Sequence, residues 1–228
     1  MSKAIAIAAV AAAVAATAAG AAAAPPASSF VQRVDNPWFP LAPGTRYEYR
    51  GVKDGRPARE VVTVTRRTTT IEGVRCTTVD DRLYVDGRLA ERTTDWYAQD
   101  RAGNVWYFGE DTAELDRTGR VTSRSGSWRA GARGARAGIV MPARPRIGQR
   151  GQEEFLEGEA EDRFRVLAVL DTVLGRRAAS ALLVEETTPL EPGVVDHKLY
   201  VRGVGLVVEQ TVEGGDERSE LVRVTRAG

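Results

Sequence analysis

The chain has 228 residues, with 31 acidic and 32 basic side chains and a formal charge of +1. A balance this even excludes the strong overall field on which general nucleic-acid binding depends. One cysteine, Cys76, excludes an internal disulfide, and one histidine beside it excludes the ligand sets of ordinary zinc and iron–sulfur centres.

In chain order, Lys3 precedes an apolar run over 4–19 rich in Ala, Val and Ile, then small residues over 20–24 and Pro25-Pro26. This is the pattern of a cleaved signal peptide over 1–24, cut near Ala23. A membrane anchor needs a longer and more strongly apolar run. No cysteine stands at the cut, so the expected protein is secreted or extracytoplasmic and not lipid-anchored. Such a chain must rely on its own core, for which about 200 residues suffice as one domain.

Residues 25–34 are expected to form a mobile lead-in, and 35–228 a single β domain. The domain opens on DNPWFPLAPG (35–44), where three prolines block regular structure while Trp38, Phe39 and Leu41 demand apolar surroundings. Period-two alternation follows: Tyr47 and Tyr49 share one face of a strand, with Arg46, Glu48 and Arg50 on the other. Asp54-Gly55 and Asp86-Gly87 mark hairpin turns. Strands are expected over 60–67, 74–85, 89–97, 105–110 and 121–128. The second half continues with 164–170, 182–184, 194–201, 206–212 and 221–225. No segment has the pattern of an amphipathic helix. An all-β fold follows, an antiparallel meander curled into a half-barrel or barrel.

The most distinctive block is DWYAQDRAGNVWYFGE (95–110), two aromatic strands joined by a polar turn. Consecutive strand residues point to opposite sides, so Trp96 and Tyr97 diverge, as do Trp106 and Tyr107. Two readings follow. The inward aromatics fill a core, or one face lines a concave apolar cavity with Trp96, Trp106, Tyr107 and Trp128 as ligand contacts.

Over 117–151 there are nine arginines and no acid. This is expected to be a long basic loop region, with Ile139, Val140 and Met141 as an apolar tip. In the cavity reading Ile139 and Met141 cover the mouth, and Arg129, Arg133, Arg136 and Arg144 contact anions. An acidic block follows, from Glu153 to Asp162, and the two blocks are expected to face one another as solvated partners.

The blocks NPWFPLAPGT (36–45), 95–110, GIVMPA (138–143) and GEAED (158–162) together resemble an uncharacterised secreted β-meander family of actinobacteria. The resemblance implies export and a β-meander, and carries no activity.

Catalytic chemistry is poorly represented. No Gly-x-Ser-x-Gly elbow is present. Asp196 and His197, being strand neighbours, point apart and cannot act as a coupled pair. Cys76 suits a small buried hydrophobe better than a nucleophile. No Gly-rich phosphate loop or calcium loop appears. No catalytic residue, cofactor or metal is therefore assigned, and the sequence favours a non-enzymatic protein. The first expectation is an exported protein holding a lipid or other apolar or amphiphilic ligand in the concavity of the meander. The second is a cell-envelope protein whose arginines touch anionic polymers or lipids. The third is an envelope glycan hydrolase with converging Glu153, Glu154 and Glu159. Nucleic acid is not expected as a partner, and the sequence leaves the oligomeric state open.

Overall fold

The computed structural model describes residues 24–174 and 177–226. The expected signal peptide over 1–24 lies outside them, apart from Ala24. Alternation becomes strand throughout. In β2 (Arg46–Lys53) Tyr47 and Tyr49 are buried while Arg50 is exposed. Strands β3 (Arg56–Ile71), β4 (Val74–Val85) and β5 (Arg88–Asp100) follow through two-residue turns. These turns are Asp54-Gly55, Glu72-Gly73 and Asp86-Gly87, and every one of the six residues has positive φ. That backbone matches the right-handed twist of the flanking strands and makes the hairpins tight.

The aromatic hairpin is completed by β6 (Val105–Leu115), with its turn at 101–104. Asp100 fixes that turn, accepting hydrogen bonds from the Asn104 backbone at 2.9 Å, the Asn104 side chain at 2.8 Å and the Trp106 indole at 2.9 Å.

The basic segment 117–151 is less of a loop than its composition predicts. It contains β7 (Val121–Ser123), β8 (Trp128–Arg129) and β9 (Arg136–Met141), and the first two residues of β10 (Arg150–Gln152). The strand expected over 121–128 is interrupted by a turn around Gly126. The chain continues with β11 (Glu154–Phe155), β12 (Arg163–Leu174), β13 (Arg177–Thr187), β14 (Val195–Val201), β15 (Gly205–Glu213) and β16 (Arg218–Thr225).

Antiparallel neighbours run β10-β12-β13-β14-β15-β16-β2-β3-β4-β5-β6-β9-β11. The final strand, β16, returns to β2, so the meander curls on itself into a nearly closed barrel. Its ends meet through one ribbon. Residues 150–152 pair with β12, and residues 154–155 pair with β9, with Glu153 at the step between them. Gly138 of β9 lies so close to this ribbon that a Cβ there would meet Gln152 O at 2.3 Å and Glu153 O at 2.6 Å. Only glycine permits that approach.

Two apolar clusters hold the structure. One lies inside the barrel and includes Trp38, Leu41, Val64, Val79, Met141 and Leu182. The second packs on the outer side of β4–β6 and includes Cys76, Trp106, Phe108, Trp128 and Leu156. Burying Phe108 completely contributes roughly 2–3 kcal/mol by area alone.

The segment 25–34 departs from the expected mobile lead-in. Its strand β1 (Phe30–Val31) pairs with the end of β5, and Phe30 meets Phe108 edge-on at 5.4 Å. An aromatic ring with an apolar slot to fill ties down a segment whose prolines and serines look unstructured. The Pro-rich stretch beyond it caps one end of the barrel. There Gln99 accepts hydrogen bonds from the Asp35 and Asn36 backbones at 2.9 and 2.8 Å, and Tyr47 donates to Pro40 O at 3.0 Å.

Candidate functional site

The barrel encloses a lumen whose upper part is a cavity of about 510 Å³. A second cavity of about 740 Å³ leads toward the open end and shares Tyr49, Glu60, Asp81, Glu91, Thr93 and Glu209 with it. Near the capped end the wall is apolar and aromatic, with Phe39, Leu41, Val140 and Leu206. Tyr97 stacks on Tyr107 at 4.7 Å, and Phe39 meets Tyr97 edge-on at 5.2 Å.

The rest of the lining is acidic. Among the described residues ten carboxyl groups face the 510 Å³ cavity against one ammonium, that of Lys198. Strand parity puts them there. Glu60 shares a face with Val62 and Val64, Asp81 with Val79, and Asp95 with Tyr97, so each acid points where its apolar neighbours point. Glu110 arrives by a bulge: Trp96 pairs with Gly109 and Tyr97 with Tyr107, which leaves Phe108 as the extra residue. The bulge lets Tyr107 and Glu110 share the inner side despite their odd spacing. The step at Glu153 does the same for the adjacent acids Glu153 and Glu154, both buried and both lining the lumen.

Burial sets the protonation of this wall. It pushes Asp95 up to about 7, against the pull of the Tyr107 hydroxyl that donates to its Oδ1 at 2.6 Å. It raises Glu110 to about 9, with Asp95 and Glu154 adding repulsion. Glu154 rises to about 8, through burial and the nearby Asp162, with the Trp128 indole opposing. Burial also lifts Glu60 and Asp81, whose adjacent carboxyls cannot both ionise. Lys198 is the counterweight. Burial disfavours its charge, but Glu186, at 2.7 Å to both oxygens, and Glu209, at 3.4 Å, hold the ammonium well above its usual range. Asp81 Oδ1, Glu154 Oε2 and Trp128 Nε1 are buried and none completes a well-formed hydrogen bond, although the Trp128 indole lies near Glu154 and the Glu60 carboxyl near Asp81.

The residues expected to contact ligand divide. Tyr107 lines the lumen, and Val140 lines it rather than its neighbours Ile139 and Met141. Met141 is buried in the inner cluster. Trp106 and Trp128 belong to the outer cluster, with Trp96 and Ile139 packed against it. The four arginines lie exposed outside the barrel. Arg129 stacks over Trp96 at 5.5 Å and donates to Thr70 O at 3.0 Å; Arg136 stacks over Phe155 at 4.2 Å; Arg133 donates to Ser127 O at 3.2 Å. Arg144 is exposed.

The acidic block does not face the basic one as expected, because Glu153, Glu154 and Asp162 turn into the lumen. Glu159 sits on an exposed turn, so the three glutamates of the hydrolase expectation do not converge. Asp196 lines the open-end cavity and accepts from the Thr211 hydroxyl at 2.6 Å, while His197 lines neither cavity. Among the described residues no group of three or more His, Cys, Asp or Glu side chains is placed to hold a metal ion.

No family model matches the chain, and no curated protein matches it. Two solved structures are similar. One is a candidate exported protein with a YmcC-like fold from Bacteroides fragilis, 11% identical, covering 83% of this chain and 99% of that one with a TM-score of 0.47. The other is a candidate lipoprotein from Parabacteroides distasonis, 9% identical, covering 82% and 98% with a TM-score of 0.45.

Proposed function

We propose that the chain is an exported carrier that holds an amphiphilic ligand with a cationic head inside its barrel. The leader-like sequence over 1–24 and the resemblance to secreted β-meander proteins support export. The observation that carries the ligand reading is the imbalance of the lumen: ten carboxyl groups against one ammonium that is already engaged, beside an apolar aromatic wall. A fatty-acid carboxylate brought into this wall meets like charge and low dielectric together, which is costly. An organic ammonium instead draws the raised carboxyls into their ionised form and supplies hydrogen-bond donors where the wall has acceptors. Its apolar tail lies against Phe39, Tyr97 and Leu206.

Isothermal titration with decylammonium and decanoate, matched in chain length, tests this reading. Decylammonium binding at one per chain with decanoate silent is the expected result. Equal binding of both, or binding of neither, overturns it. A second reading, contact with anionic envelope polymers or lipids, draws on the exposed Arg129, Arg133, Arg136 and Arg144. It requires retention on anionic vesicles that falls steeply between low and high salt.

A further inference from the structure

Strand register arranges four lumen acids in a stair. Glu60 of β3 lies level with Leu83 of β4. Asp81 of β4 lies two residues further along, level with Val62 and Thr93. Asp95 of β5 lies two residues beyond that, level with Val79, and Glu110 of β6 stands directly opposite Asp95. Each diagonal step spans ~7–8 Å and the final level step ~5 Å, so the row runs about 20 Å across four adjacent strands. It starts where the two cavities share Glu60 and Asp81 and ends beside the apolar wall.

Acceptors on this row have few fixed donors: the nearest are the Glu60 carboxyl beside Asp81 and the Trp128 indole beside Glu154. Asp81 Oδ1 is buried without a well-formed hydrogen bond. Glu154 lines the same cavity, is 6% exposed, and has a buried Oε2 in the same condition. Buried acceptors without a well-formed hydrogen bond are rare in native structures, and each has capacity for a further donor. The charge is also spread along a line: among the described residues no three acids converge as a metal ion requires.

Resting on the cationic-ligand reading above, we infer that the stair binds a linear oligoamine, whose successive ammonium groups pair with Asp81, Asp95 and the Glu110–Glu154 pair. Trimethylene and tetramethylene spacers between the nitrogens match carboxyl groups that step along the wall in this way. The methylenes lie against Val79 and the Tyr97–Tyr107 stack. Each terminal ammonium offers three donors and each internal one two, to acceptors that burial otherwise keeps protonated, so loading the stair expels protons to solvent.

The test is isothermal titration of the purified full chain with 1,4-diaminobutane and its triamine and tetraamine homologues, in two buffers of different ionisation enthalpy. The expected result is an affinity rising about tenfold with each added nitrogen, with protons released on binding. Asp81→Asn, and independently Glu110→Gln, reduce the tetraamine-to-diamine affinity ratio by at least tenfold, circular dichroism verifying that each variant is folded. An affinity that stays flat along the series, or ratios unchanged in both variants, overturns the inference. If decylammonium binds while the series is flat, the stair fails and the carrier reading stands; if decylammonium also fails, both fall.

Discussion

Replacing Asp95 by Asn removes one ionisable group. The Asn side-chain carbonyl still accepts the hydrogen bond that Tyr107 donates to Asp95 Oδ1 at 2.6 Å, but position 95 can no longer ionise. In the parent, burial raises this carboxyl from an ordinary 3.8 to about 7, with Glu60, Asp80 and Glu91 adding repulsion. A raised acid binds more protons folded than unfolded, so stability is fullest below pH 4 and is lost as pH rises to about 7, then levels off. At about 1.4 kcal/mol per pH unit, Asp95 costs roughly 2 kcal/mol at pH 5 and roughly 4 kcal/mol at pH 9. The variant carries no such slope. Its stability relative to the parent therefore improves by about 2–3 kcal/mol between pH 5 and pH 9, or about 5–10 °C in Tm for a domain of this size. Glu60, Glu91 and Glu110 face position 95 in both proteins, and loss of the Asp95 charge also relieves Glu110 and Asp81, so the difference between the two curves reports Asp95 together with its repulsion of these neighbours. Urea denaturation at pH 5, 7 and 9 measures it, and parallel curves for parent and variant refute the reasoning.

Asp100→Ala leaves the Trp106 indole and the Asn104 amide without their acceptor, which costs roughly 3 kcal/mol in urea denaturation. Gly138→Val drives a side chain into the Gln152 and Glu153 backbone and parts the ribbon that closes the barrel. A loss of roughly 3 kcal/mol or more is expected, with amide exchange accelerating first in β9 and β11. Cys76 is fully buried and its thiol is pushed up by burial to about 12, so a thiol reagent modifies it only after denaturation. Rapid labelling of the native protein contradicts that placement.

Architecture was legible in the sequence where alternation and turn chemistry agree. Tyr47 and Tyr49, the Asp-Gly turns and the span of β4 all stand where pattern reading puts them. The tip at Glu72-Gly73 was missed because the threonine-rich end of β3 carries little alternation, though Glu-Gly is a turn pair of the same kind. The site itself was hidden by a habit of inference: acids in alternating strands are assigned to solvent. Glu60, Asp81 and Asp95 nevertheless keep the parity of Val62, Val79 and Tyr97, and that shared parity was the available signal. Glu110 follows a bulge whose available mark was Gly109, at a φ of 137°, whereas Glu154 had no such signal, because the strand step at Glu153 inverts its side. The tryptophans misled for the complementary reason: β4–β6 are covered on both faces, so aromatic area on the outer face serves packing.

The ribbon over 150–155 belongs to two neighbours at once, holding β12 by three residues and β9 by two. Every other junction on the circuit from β12 round to β6 is longer or continues a hairpin, and β6 meets β9 through three pairs, so the cylinder is held by the fewest backbone pairs between β6 and β12. Glu153 and Glu154 ride on that clasp, and because burial raises both, alkaline pH adds charge within it. The cylinder is thus thinnest in backbone pairing where it is sewn shut.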